Sequence, residues 1–368
     1  MAITETYVDP AIAGDSGAGS IGDPYGDVQY ALDTMTRDST NGDRINIKAG
    51  TDEILGAALT LATYGTPAFG APLVFQGYTT AAGDGGIGGI SGAATYAIYT
   101  DNTNDYVSWI DLHLHNSGSV AVITVDDKCS FINCEVDNST GDGIALGKDN
   151  YVYNCYVHNI GTIGISGGGT NHVTHCYLAN GTNDFTAAIS LGNGTWRAEF
   201  NIINVDGASN GIIVGTTGVL AAVKNNTIYA AAGTGTGIST GVNAKPFILI
   251  ANNYVEGFSG AGGVGIDVSA SGLAYVYSNR AYNNTTNLTL TGALVDSDNS
   301  ATAASALTNP GGGDFSVGTD LKAGAYPTSF NGTSTNQYMD IGAAQRQEPA
   351  GGGGGGRQGL HSIESGAV

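Results

Sequence analysis

Between Ile123 and Ile266 the chain alternates short apolar runs with clusters of Gly, Asn, Ser and Thr. Inside a run the period is two: Ile132, Cys134 and Val136 are predicted to face one way, Glu135 and Asp137 the other, the mark of a half-buried strand. None of these runs carries a helical pattern.

The runs recur. Asn133-Cys134-Glu135-Val136, Asn154-Cys155-Tyr156-Val157 and His175-Cys176-Tyr177-Leu178 repeat one phrase at a spacing of 21. Related phrases place one column at Leu112, Cys134, Cys155, Cys176, Phe200, Asn226, Asn253 and Arg280. A second column keeps the same beat at Ile144, Ile165, Ile189, Ile212, Ile238 and Ile266, nearly always after Gly. Short strands repeating every 20 to 27 residues predict a solenoid whose coils stack at roughly 4.8 Å. An asparagine ladder is expected at Asn116, Asn138, Asn159, Asn180 and Asn204, because Asn tolerates a left-handed bend and bonds to its copies above and below.

A solenoid needs closed ends. Asp23-Pro24 followed by Val28, Ala31, Leu32 and Met35 predicts an amphipathic helix over 23–36. The expected organisation is an N-terminal cap (1–43), β-coils (44–298), a C-terminal cap (299–345) and a Gly-rich tail (346–368). The fold class is all-β, a single-stranded right-handed parallel β-helix.

Composition agrees and narrows the partners. Of 368 residues, 59 are Gly and 12% are charged, which excludes a coiled coil, and 41% are apolar, which excludes wholesale disorder. The net charge of −20 repels phosphate backbones and anionic lipid, so no nucleic acid is expected. No apolar run is long enough for membrane insertion. Met1–Thr6 shows no basic or apolar leader, so assembly in a host cytoplasm is expected, with an extracellular location as the alternative.

Two passages are similar to a known family. Tyr7-Val8-Asp9-Pro10, Gly22-Asp23-Pro24-Tyr25 and Gly42 to Thr51 resemble the opening of right-handed parallel β-helix proteins of the pectate-lyase-like superfamily, and Asp314-Phe315-Ser316-Val317 with Tyr338 to Ala343 resembles its ending. The resemblance implies the fold. It leaves function open among lyases, hydrolases, adhesins and phage spikes. Enzyme signatures of the superfamily are missing: there is no Gly-His-Gly, and no Arg or Lys stands beside an Asp pair on equivalent coils.

Candidate chemistry lies on the outward side. One column is His113, Glu135, Tyr156 and Tyr177; the next is His115, Asp137 and His158. Glu135, Asp137 and His158 are the catalytic candidates, and His113, His115, Tyr156 and Tyr177 the candidates for binding a ligand or partner. The set suits acid–base work or a metal. No cofactor is assigned, calcium being the one the resemblance admits. The stacked cysteines read as small buried hydrophobes, not disulfides or a zinc site. Gly83 to Gly88 matches G-x-G-x-x-G without a following helix, so it reads as a loop.

Six glycines, Gly351 to Gly356, between Arg346 and Arg357 suggest a tail that anchors in a partner. The leading expectation is a non-enzymatic surface protein of a phage virion, a spike, head fibre or capsid decoration. It would be homotrimeric, attached to a capsid or tail protein through Arg346, Gly351, Gly356 and Arg357, and able to bind host glycans. The alternative is a polysaccharide lyase or glycoside hydrolase acting on an acidic or neutral glycan.

Overall fold

A computed structural model describes residues 3–14, 17–92, 97–100, 104–116, 118–215, 220–241, 247–269 and 274–317. Three sheets run along a solenoid. Sheet A has 12 strands, from Thr4–Val8 to Ala293–Ser297; sheet B has 11, from Asp52–Ile54 to Ser300–Ala301; sheet C has 8, from Ile123–Val125 to Thr286–Thr289. Neighbouring strands within each are parallel. One coil shows the plan: Asn150–Tyr153 lies in sheet A, Tyr156–Ile160 in sheet B and Ile163–Gly167 in sheet C, before Asn171–Thr174 returns to sheet A.

The corner from sheet A to sheet B is the same in nine coils. Asp111, Asn133, Asn154, His175, Phe200, Asn225, Asn252, Ser278 and Asp298 all take left-handed backbone, with φ between 51° and 57°. Among residues with a side chain, Asn and Asp adopt this conformation at the least cost, which explains their prevalence. The next residue of each coil turns inward. Leu112, Cys134, Cys155 and Cys176 therefore stack as expected, all four cysteines are free and buried, and Cys155 lies against both Cys134 and Cys176.

Beyond Cys176 the column differs from expectation by one residue at two places. Asn201, not Phe200, follows Cys176, and Asn279, not Arg280, follows Asn253. Phe200 is itself the left-handed corner and stacks outside on His175 at 5.2 Å. Corner geometry likewise moves Ile132: Asn133 separates it from Cys134, so it faces outward in sheet A.

Cys134, Cys155 and Cys176 thus give way to a ladder of Asn201, Asn226, Asn253, Asn279 and Asn299, the first four fully buried and the last half-buried. Each Oδ1 accepts from the backbone N–H of the residue one coil before, and from its Nδ2 where that residue is Asn, at 2.8–3.0 Å. Each Nδ2 also donates to a sheet A carbonyl: those of Val173, Ala198, Val223, Ile250 and Val276. The polar column is paired throughout, including its four fully buried members. The isoleucine column stands in register from Ile123 through Ile266 to Leu288.

Of the expected outer ladder, Asn138 and Asn159 bond side chain to side chain, at 3.1 Å. Asn116 instead accepts from Gly118 N, Asn180 turns to Asp206 and Ser209, and Asn204 stands one residue out of line, opposite Ala179.

At the N-terminal end, Thr4–Val8 already pairs with Asp43–Lys48, so sheet A begins before Arg44. The helix spans Val28–Thr34 and starts after Asp27, whose carboxylate accepts from Tyr30 N; it buries Val28, Ala31 and Leu32. Residues 83–87 form a loop around Asp84, which accepts from the N–H groups of Thr79, Thr80, Ala81 and Gly86, and Gly88 opens the sheet B strand Gly88–Ser91. At the other end, Leu307–Asn309 and Asp314–Val317 form an antiparallel hairpin. Residues 318–368, with the glycine run, lie outside the described residues.

Candidate functional site on sheet B

The outward residues of sheet B come from alternate positions of short strands, which strand geometry points to one face. Register aligns His113, Glu135, Tyr156 and Tyr177 in one row and His115, Asp137 and His158 in the next. The sequence-derived patch is therefore assembled as expected, and all seven residues sit on one surface.

Within it the charges pair diagonally. His113 Nε2 lies 3.0 Å from Asp137 Oδ1, and His158 Nε2 lies 2.9 Å from Glu135 Oε1. Asp137 Oδ2 stands 3.8 Å from the same His158 nitrogen, so one carboxylate faces two imidazoles. The His113 pKa is raised chiefly by its bond to Asp137, against the opposing effect of burial. Glu135 is held below the usual carboxylate range, mainly by its bond to His158.

Aromatic stacking extends the site. The His113 and His115 rings stack at 4.8 Å, His158 on Tyr156 at 4.1 Å, and Tyr156 on Tyr177 at 5.2 Å. Burial, helped by Tyr177, Glu135 and Asp137, pushes the Tyr156 phenol to about 12, so it keeps its proton at neutral pH. Two triads bring donor atoms together: His113, His115 and Asp137; and Glu135, Asp137 and His158.

Two features escaped sequence reasoning. Asp52 lies 3.2 Å from His115 Nε2, delivered by a sheet B strand of an early, irregular coil that no repeat phrase marks. The C-terminal hairpin also crosses sheet B: Ala306, Leu307 and Phe315 pack with Tyr254 against Tyr177, Ile202, Tyr229 and Tyr282. Ala306 N donates to Tyr254 Oη at 2.9 Å, and Ser305 Oγ donates to Glu256 at 2.7 Å. Phe315 stands 6.0 Å from Tyr177, which is thus shared between the patch and the hairpin. Arg346, Gly351, Gly356 and Arg357 lie outside the described residues.

No protein-family model matches the chain, and no curated protein does. Solved structures do resemble it. The crystal structure of pectate lyase Pel9A aligns with a TM-score of 0.56 and 13% identity, covering 94% of this chain and 98% of that one. A mannuronic acid specific polysaccharide family 6 lyase from human gut microbiota aligns at 0.47 with 14% identity, covering 76% and 65%. The GH136 lacto-N-biosidase from Eubacterium ramulus aligns at 0.49 with 11% identity, covering 80% and 67%. At these identities the likeness is one of fold: the chain is a pectate-lyase-like parallel β-helix.

Proposed function

We propose that the protein binds a uronate-containing polysaccharide across the outward face of sheet B and cleaves it by elimination at His158 and Tyr156. The observation that carries this reading is the His158–Glu135 pair at 2.9 Å with the Tyr156 ring stacked on the imidazole. Ionised Glu135 orients His158 as a base. The imidazole takes the proton from the carbon beside the uronate carboxylate, that electron pair forms the new carbon–carbon double bond, and the bond to the leaving sugar oxygen breaks. That oxygen takes the Tyr156 phenol proton.

Inverting hydrolysis by paired carboxyls suits the geometry less: donor oxygens of Glu135 and Asp137 come within 4.8 Å, whereas inverting pairs stand about 6.5–9.5 Å apart to admit water. The spacing is nearer that of a retaining pair, about 5–5.5 Å, in which one carboxyl must carry a proton. Glu135, held ionised, is also a poor proton donor. The test is a panel of uronate-containing glycans, read by the ultraviolet absorbance of unsaturated ends. His158→Gln and Tyr156→Phe should each lower the rate by about 10²–10⁴-fold, with Tyr151→Phe on sheet A unchanged. New reducing ends without that absorbance would instead establish hydrolysis, and absence of cleavage across the panel would remove the enzymatic reading.

A virion-surface homotrimer is the second reading. One observation favours self-association: Leu220 and Phe247 are exposed side by side on sheet A, and Phe247 meets Tyr275 at 5.0 Å. A second copy of the chain would cover this apolar face. A monomer by light scattering at working concentration would remove the trimer.

A further inference from the structure

We propose that His113, His115 and Asp137 bind one divalent transition-metal ion of the zinc class. A ring nitrogen of each histidine and a carboxylate oxygen of Asp137 lie within 4.8 Å of one another. Donors around a tetrahedral ion with bonds of about 2.1 Å stand about 3.4 Å apart. His113 Nε2 and Asp137 Oδ1, at 3.0 Å, are already near that spacing. The ion takes the place of the proton that now joins them.

The strand does the positioning. His113 and His115 are two residues apart on one face, and their rings lie within 18° of parallel. His115 Nε2 is shielded from solvent and makes no hydrogen bond among the described residues, although Asp52 Oδ2 is 3.2 Å away. Asp52 is thus placed to steer the His115 ring, as carboxylates do behind ligating histidines. Charge agrees with chemistry. Three carboxylates, Asp52, Glu135 and Asp137, converge here, and ligating imidazoles are neutral. Two nitrogens with one carboxylate favour zinc, cobalt, nickel or copper over calcium, which takes about six to eight oxygens.

The test uses the full chain, stripped with a chelator and titrated calorimetrically with zinc chloride and, separately, calcium chloride. Metal content is then counted by plasma mass spectrometry after gel filtration. Expected are one zinc per chain and no heat from calcium at equal concentration. His113→Ala and Asp137→Asn should each weaken zinc binding at least about tenfold, and His172→Ala, on sheet A, should not. Cobalt in place of zinc should give the visible bands of a four-coordinate ion with nitrogen donors. Circular dichroism of each metal-free variant checks the fold. Three results overturn the site: uptake well below one zinc per chain, a preference for calcium, or unchanged zinc affinity in a folded His113→Ala. Uptake is read without substrate, so the metal site and the glycan-cleaving reading stand or fall separately.

Discussion

Replacing Asn226 by Ala tests whether the interior amide ladder holds the downstream coils. The Asn226 side chain is fully buried and makes four hydrogen bonds: Oδ1 accepts from Asn201 N and Nδ2, and Nδ2 donates to Ala198 O and Asn253 Oδ1. In the Ala variant Asn201 Nδ2 keeps Val173 O, and Asn253 Oδ1 keeps Asn226 N. The Asn201 N–H loses its side-chain acceptor inside the core, which costs about 1–3 kcal/mol. The other lost bonds add about 1 kcal/mol each. A loss of about 4–6 kcal/mol is therefore expected, read as a lowered urea midpoint by circular dichroism at unchanged slope. Asn226→Asp sharpens the test. It keeps the acceptor but sets a buried carboxylate against Ala198 O and Asn253 Oδ1, so at neutral pH it should cost more than Ala, and acid should restore part of the loss. A loss under about 1 kcal/mol for Ala, or a neutral-pH Asp variant as stable as the parent, would refute the reasoning.

Other outcomes follow from single residues. Asn154 has φ 52°, so Asn154→Ala should cost about 1 kcal/mol through backbone strain, whereas Asn154→Gly should lose less in the same denaturation assay. Burial alone would raise the Glu199 pKa, but His172 and Lys224 outweigh it and hold the carboxylate at about 2, with Lys224 Nζ at 3.0 Å. A lowered folded-state pKa stabilises above the unfolded value of 4.5 and is lost as pH falls toward 2. Glu199→Gln should therefore flatten that acid limb, by at most about 3 kcal/mol; an unchanged limb would exclude Glu199 as its source. Burial pushes the Cys129 thiol to about 12 and Cys155 well above its ordinary value. The native protein should leave a disulfide reagent unreacted, and all four thiols should titrate in denaturant.

The fold was legible because a coil repeats its own chemistry. Cys134, Cys155 and Cys176 share one environment, and the spacing alone aligned Glu135 with Tyr156 and Asp137 with His158. Where the interior changed from apolar to amide, hydrophobicity misled: Phe200 looked like a core residue but occupies the corner. The better cue was the doubled Asn of Asn225-Asn226 and Asn252-Asn253, a left-handed residue followed by a ladder residue. Asp52 and the hairpin at Leu307 could not be read from periodicity, since each joins sheet B from a segment outside the regular beat.

The asparagine column also has a direction. Every amide oxygen points back toward the preceding coil, so the rungs form a one-way chain of dipoles whose two ends are chemically unlike. Such a column can be lengthened only by units inserted in the same sense. The segment from Asn226 to Asn252 is such a unit, leaving Asn253 to receive the next copy. Duplicated in tandem, it would extend the rod by one step of roughly 4.8 Å. The protein thus carries its own module for growth, and rods of graded length could arise by copying one stretch of sequence.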